Sequence, residues 1–342
     1  MIKVLVVDDS IFMRRVISDA INKSGEMVVV GTASNGEDVI KQVRLLKPDV
    51  ITLDVEMPRK NGLIALQEVM SEQPTPVVMC STLTAEGTQA TMMALEIGAV
   101  DFIAKPTLIT AETMELTFKE LLPKIRIAAQ ARMAKRTASS AGPKLKSVTS
   151  NKVLLIASST GGPKALMTLF ETLPKGMKVP CVIVQHMPVG FTKSLAQRLN
   201  GAGSFITREA EDGDQLEPGV ALLAQGGKHL EFSGAEKLRF NDAPDRLGVK
   251  PCADYLFESG AKFLGDKALG VILTGMGKDG TAGALAIKKA GGTILGESAE
   301  TCTVYGMPRS AKEAGAVDGE FPAHELHMAI MAALQGGKRA AA

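Results

Sequence analysis

The sequence contains no tryptophan, and 11 phenylalanines and 2 tyrosines are all its aromatic residues in a chain of 342. So few flat rings argue against a surface that stacks the bases of single-stranded nucleic acid. Neither sign of charge is in excess: 39 Lys and Arg meet 37 Asp and Glu, a net +2 that singles out no polyanionic partner. The four cysteines, Cys80, Cys181, Cys252 and Cys302, fall without CxxC spacing. That argues against a zinc ribbon or a dithiol motif; three of the four sit in or beside apolar or strand-like runs and fit reduced packing residues, and a reducing cytoplasm is the expected compartment. Long apolar runs are missing too. None approaches the ~18 residues of a membrane span, and Asp8 and Asp9 interrupt the first run where a signal peptide would stay apolar. A chain of this length is expected to form two domains.

What is present begins with strand-like runs that end on polar residues. Ile2–Val7 stops at Asp8 and Asp9, and Ser10 can cap a helix with Phe12, Val16, Ile17, Ala20 and Ile21 on one face. Further strands are expected at 27–31, 50–53, 76–80 and 101–104, with a second helix over 35–46. The third strand ends at Asp54, the fourth at Ser81 and the fifth at Lys105. This alternation predicts a doubly wound parallel sheet, which gathers the carboxyl ends of its strands on one edge. Asp8, Asp9, Asp54, Ser81 and Lys105 would then meet. Three carboxylates repel one another unless a hard cation such as Mg²⁺ takes their oxygens. The lysine adds a fixed positive charge for a phosphoryl group, and the serine an adjustable donor.

The segments VLVVDDS, ITLDVEMP and AKP resemble the receiver domain of two-component response regulators, over residues 1–120. The resemblance implies that Asp54 accepts phosphate from a histidine kinase, with Asp8, Asp9 and Asp54 supporting Mg²⁺. It also implies that Ser81 and Lys105 bind the phosphoryl oxygens and that Phe102 is the switching aromatic. Asn61 stands in the following turn where aspartate is commoner in the family.

Residues 119–152 carry nine Lys and Arg against one acid, Glu120. The start of this stretch can be helical, with Pro123 interrupting or beginning the helix. Beyond it, TASSAGPKLKSVTSN has the composition of a linker. The basic run reads as solvated, since no helix-turn-helix pattern follows that would use it on DNA. A flexible tether of roughly fifteen residues keeps its ends within about 20–25 Å, so even weak docking of one half on the other could regulate the second.

The second half opens on VLLIASSTGGPKAL, which reads as strand, tight turn and helix with Pro163 in the first turn. It matches neither GxSxG nor the P-loop, so the turn can offer a nucleophile or cradle an anion. A strand over 180–185 ends at His186, and a strand over 269–273 leads into TGMGKDGTAG with Asp279. Ser159, His186 and Asp279 at or just beyond three strand ends are the set that acyl transfer to a hydroxyl requires. Gly275-Met276-Gly277 adds backbone N–H groups suited to an oxyanion. His229 sits in a Gly-Gly-Lys turn, and His324 with His327 lack further metal ligands.

The segments SSTGGPKAL, VIVQHMPVGFTKSLAQRL, KPCADYLFESGA, VILTGMGKDGTAG and CTVYGMPRSA occur in this order over about 151–335. Together they resemble the CheB family of chemotaxis methylesterases. The resemblance implies an α/β fold of two doubly wound parallel-sheet domains joined by a flexible basic linker. A flavodoxin-like receiver would span 1–120, the linker 121–150 and the α/β methylesterase domain 151–335. By the same resemblance Ser159 is the nucleophile, His186 the base and Asp279 the orienting acid. Thr160 and Met276 lie beside the reacting centre, Met276 through its backbone N–H, and the hydrolase site needs no cofactor. The implied function is phosphorylation-activated hydrolysis of glutamate γ-methyl esters on methyl-accepting chemoreceptors, with deamidation of receptor glutamines. It would take place in the cytoplasm without nucleic acid or membrane insertion. The other reading is an output half that only binds an anionic ligand through its Gly-rich turns. Ser158 and Gln225 depart from the family, which has a small apolar residue and commonly proline there.

Overall fold

The structure is a computed structural model that describes residues 1–82, 84–131 and 148–336. The chain forms two compact units, Met1–Met133 and Ala134–Ala342. Most of the expected linker, residues 132–147, lies outside the described residues.

In the first unit five strands, β1 (Ile2–Val7), β2 (Met27–Ala33), β3 (Val50–Asp54), β4 (Val77–Ser81) and β5 (Asp101–Ala104), form one sheet in the order β2-β1-β3-β4-β5. Every pairing is parallel, which is the flavodoxin-like arrangement. Helices α1 (Ile11–Lys23), α2 (Val39–Leu46), α3 (Gly62–Glu72), α4 (Ala85–Ile97) and α5 (Ala111–Ala128) alternate with the strands. β3 and β4 are buried along their whole length, as a parallel sheet covered on both faces requires.

Three expectations shift. Ser10 does cap α1, accepting from Met13 N, but the buried stripe is Met13, Ile17 and Ile21, and Phe12 is 52% exposed. α2 starts at Val39 because Asn35 Oδ1 accepts from the N–H groups of Glu37 and Asp38, a local turn that competes with helix. α5 runs through Pro123 to Ala128 and buries Leu121, Ile125 and Ala128 in the first core, so that unit extends past residue 120. Pro123 removes the N–H that would meet the carbonyl of Lys119, an exposed residue, one turn earlier.

The second unit holds seven parallel strands and an antiparallel pair. The strands are β6 (Val153–Ser158), β7 (Cys181–Gln185), β8 (Ile206–Glu209), β9 (Val220–Leu223), β10 (His229–Phe232), β11 (Leu238–Asn241), β12 (Ala268–Ile272), β13 (Thr293–Glu297) and β14 (Gly319–Phe321). The sheet order is β14-β13-β12-β6-β7-β9-β8, with β10 and β11 pairing separately. Its helices are α6 (Gly162–Thr172), α7 (Phe191–Ala202), α8 (Ala253–Leu264), α9 (Thr281–Lys289), α10 (Met307–Glu313) and α11 (Leu326–Leu334).

Strand β6 lies between β12 and β7, with Ala157 opposite Ile272 and Ser158 opposite Gln185. The chain leaves β6 toward β7 and returns to its other side at β12. That reversal opens a crevice at the carboxyl end of β6, where such sheets place ligands. Beneath it Leu155, Val184, Leu256, Phe257, Ile272 and Ile287 belong to one apolar core. Helix α9 comes close to α8 because residue 283 is glycine: a Cβ there would stand 2.3 Å from Phe257 Cβ. This close packing brings the loop before α9, with Asp279, onto the amino end of α8. Among the described residues no helix is long and apolar enough to cross a membrane.

Candidate functional sites

Ser159, His186 and Asp279 follow β6, β7 and β12, three neighbouring strands. The His186 N–H donates to Ser158 O at 3.0 Å, and the Ser159 N–H to Thr274 O at 3.0 Å, so strand pairing continues into the crevice. The best defined contact there joins His186 Nε2 to Asp279 Oδ2 at 2.7 Å, with the imidazole 11% and the carboxylate 3% exposed. With Nε2 committed, Nδ1 is the ring nitrogen left for chemistry. Ser159 is half-buried at the head of α6, where Gly161 takes a left-handed φ of 77° to turn the chain into the helix.

Asp279 receives far more than one donor. Its Oδ2 also accepts from Ala253 N (2.6 Å), and its Oδ1 from Asp254 N (3.0 Å), Gly280 N (2.8 Å) and Cys252 Sγ (2.9 Å). The N–H groups of Ala253 and Asp254 belong to the first turn of α8, whose unpaired donors and dipole favour an anion. Burial alone would push the Asp279 carboxyl up. The bonds from His186, Cys252 and Ala253 outweigh it and hold the pKa at about 2. Burial pushes the Cys252 thiol up, so it stays protonated and serves as a donor. Asp254 also lies close to Cys252 and Asp279, but it accepts from Gly283 N at 2.8 Å and braces α9.

Gly275 lies against the nucleophile turn: a Cβ on it would come within 2.7 Å of Ser159 Cβ. Its N–H goes to Val304 O and its carbonyl accepts from Gly306 and Met307, which fixes the loop carrying Met276. Met276 is 47% exposed and Thr160 7% exposed. Thr160 O accepts from Thr274 Oγ1 at 3.0 Å.

Cys252, His229 and Gln185 lie outside the expected site residues, His229 in a turn and Gln185 at a strand end. The structure gives each a contact at the site. His229 is buried at the start of β10, accepts from Cys252 N on Nδ1 (3.1 Å) and reaches Pro244 O with Nε2 (3.2 Å). Burial holds its pKa down, so the neutral ring buttresses Cys252. Gln185 donates to the carbonyls of both Ser159 and His186. The hydroxyl of Ser158 points at Gln185 Oε1 (2.6 Å) and is thereby used up. Gln225 stays in a loop, its amide donating to Ala210 O.

The first unit carries the second cluster. Lys105 Nζ lies 2.6 Å from Asp54 Oδ2 and 2.8 Å from Asp8 Oδ2. Burial pushes the Asp54 carboxyl up to about 6 against the pull of Lys105, with the Asp8 charge adding to the rise. Asp8, Asp9 and Asp54 each offer a carboxylate oxygen, all within 4.8 Å of one another, with the Lys105 ammonium the positive charge against Asp8 and Asp54. That donor set fits a hard divalent cation with oxygen ligands. Asp9, Glu56 and Glu86 help to line a cavity of about 570 Å³ beside the cluster. Ser81 is on the same edge, but its hydroxyl donates to Gly87 O at 2.9 Å. Phe102 is 3% exposed, with the Lys124 ammonium 5.2 Å from its ring centre.

Residues 154–330 match the family described as CheB methylesterase, and residues 4–115 the response regulator receiver domain. A Geobacillus kaustophilus protein named protein-glutamate methylesterase/protein-glutamine glutaminase is 45% identical, over 96% of this chain and 98% of its own length. A Thermotoga maritima protein of the same name is 44% identical, over 95% of this chain and 96% of its own. The crystal structure of the Thermotoga maritima CheB methylesterase catalytic domain is 41% identical with a TM-score of 0.51. It covers 54% of this chain and 98% of that one.

Proposed function

This chain belongs to the CheB methylesterase family, with a response regulator receiver domain ahead of the catalytic domain, and from that premise we propose that it is a phosphorylation-activated protein-glutamate methylesterase and protein-glutamine glutaminase. The observation that carries the reading is the buried His186–Asp279 hydrogen bond beside half-buried Ser159, at the ends of three neighbouring strands.

In this account Ser159 Oγ attacks the γ-carbonyl carbon of a receptor glutamyl ester, and His186 Nδ1 takes its proton. That hydroxyl–imidazole contact closes as substrate binds. Asp279 holds Nε2–H, so the ring presents an unprotonated Nδ1 and its cationic form is stabilised. The Met276 N–H, with Thr160 alongside, faces the oxyanion. Collapse of the tetrahedral intermediate breaks the C–O bond as His186 gives its proton to the leaving methoxide, or the C–N bond when the substrate is glutamine, the departing amide nitrogen taking the proton and leaving as ammonia. Water activated by the same imidazole then cleaves the acyl-serine and leaves glutamate.

The receiver supplies control. Asp54 is the phosphate acceptor, a histidine kinase the donor, and Asp8, Asp9 and Asp54 the residues that would hold Mg²⁺. When bound, the cation supplies the positive charge that lets a buried carboxylate meet a phosphoryl group. Lys105 holds the phosphoryl oxygens, and Ser81 does so once its hydroxyl leaves Gly87. Phe102 is the aromatic that responds. Substrate receptors and kinase place the protein in the cytoplasm. The test is methanol release from methyl-labelled chemoreceptor membranes, with and without acetyl phosphate and Mg²⁺. Release that the phosphodonor accelerates is expected, and no release under either condition would refute the reading.

A further inference from the structure

We infer that Gln185 is a positioning residue of this reaction: one buried amide ties the turn that carries the nucleophile to the turn that carries the base. The inference rests on the esterase reading of Ser159 and His186. Gln185 is the last residue of β7 and is 2% exposed. Its Nε2 donates to Ser159 O at 2.9 Å and to His186 O at 3.0 Å. Its Oε1 accepts from Ser158 Oγ at 2.6 Å. Both amide hydrogens and the amide oxygen are therefore engaged, and the hydroxyl of Ser158 fixes which end of the amide faces the two carbonyls.

The surroundings are shaped for this side chain. A Cβ on Gly162 would stand 2.0 Å from Gln185 Oε1 and 2.9 Å from Ser158 Cβ, so glycine at the start of α6 leaves room for the amide. The strands alone do not set the geometry of their tips, because Ser159 and His186 lie beyond the last paired residues, Ser158 and Gln185. Beyond them the β6–β7 ladder continues in the His186 N–H to Ser158 O bond, while the Ser159 N–H turns to Thr274 O on the other side. The amide bridges the two tips directly, carbonyl to carbonyl. It touches neither ring nitrogen of His186 nor the Ser159 hydroxyl, so it acts by holding those groups in register. A displacement of the order of 1 Å between attacking atom and base costs about 100-fold in rate.

The experiment compares wild type with Gln185→Met, which keeps the length of the side chain and deletes its polar atoms, and with Gly162→Ala, which crowds the amide and leaves it present. Both are made in the full chain with Mg²⁺ and acetyl phosphate. Turnover is read on methyl-labelled chemoreceptor membranes, and Ser159 reactivity by its rate of labelling with a fluorophosphonate. The clamp predicts kcat and labelling rate lower by about 100-fold, with KM within about twofold, because ground-state binding is not touched. Counts of folded molecules come from near-ultraviolet circular dichroism. If kcat per folded molecule in either variant stays within about threefold of wild type, Gln185 is only a packing residue and the inference fails. Should Gln185→Met not fold, Gly162→Ala decides by the same criterion. Should wild type itself release no methanol, the esterase reading has failed, and the clamp is not what was refuted.

Discussion

Replacing Asp279 with asparagine tests the site most sharply, because the structure states which bonds the new amide must break. Oδ1 accepts from Cys252, Asp254 and Gly280, and Oδ2 from His186 and Ala253. An NH₂ group in place of Oδ1 would face three donors; in place of Oδ2 it faces two. The second arrangement wins, and His186 Nε2 can accept from the amide only by giving up its own proton. The imidazole then carries its proton on Nδ1 and cannot take one from serine, a loss of up to ~10⁴ in turnover.

Stability should change as well. Asp279 is held at about 2 against an ordinary 3.8, and at about 1.4 kcal/mol per tenfold change in acidity the gap is worth about 2 kcal/mol. The folded-state value is the lower one, so this contribution is present above pH ~4 and is lost as pH falls through about 2. Asp279→Asn should therefore be about 2 kcal/mol less stable than wild type in urea at pH 7, with the difference shrinking below pH ~4. Methanol release and paired urea melts at pH 7 and pH 3 make the assay. Turnover within tenfold of wild type, or a stability gap that does not change with pH, would refute the reasoning.

Ser159→Ala should abolish turnover without loss of fold, since the side chain lies on a turn and fills no core space. Ser158→Ala removes the donor to Gln185 Oε1; it should cost about 1–3 kcal/mol of stability from an unsatisfied buried oxygen, with less than a tenfold fall in rate. A dead Ser158→Ala beside an active Ser159→Ala would reverse the nucleophile assignment. Acetyl phosphate with Mg²⁺ should label wild type, while Asp54→Asn or added EDTA should leave the protein unlabelled. Labelling that persists in Asp54→Asn moves the acceptor elsewhere. Residues 145–342 expressed alone should release methanol at a rate indifferent to phosphodonor; a fragment that folds but is slower than the unphosphorylated full chain would mean that the receiver activates its partner directly.

Most of the framework was legible because it follows from local pattern. Buried runs such as VITLD and VLLIAS are parallel strands, and the polar residue closing each run lies at the sheet edge by topology. That logic brought Asp8, Asp54 and Lys105 together, and Ser159, His186 and Asp279 to neighbouring strand ends. What it could not reach was the ring of supporting contacts. Cys252 meets Asp279 across 27 residues and His229 meets Cys252 across 23, separations that carry no periodic signal. A cysteine just ahead of the helix that opens ADYLF was the available clue, since groups at a helix start face whatever anion the helix holds. Phe12 was misplaced because positions 12, 16 and 20 make as regular a stripe as 13, 17 and 21. Only packing on the sheet chooses between them.

The central claim is that Ser159 turns over receptor methyl esters under control of Asp54. Its most direct measurement is methanol released per minute from methyl-labelled chemoreceptor membranes by wild type, Ser159→Ala and Asp54→Asn, each with and without acetyl phosphate. The account predicts release by wild type that rises with phosphodonor, release by Asp54→Asn that does not rise, and none from Ser159→Ala. Equal release from wild type and Ser159→Ala would contradict it.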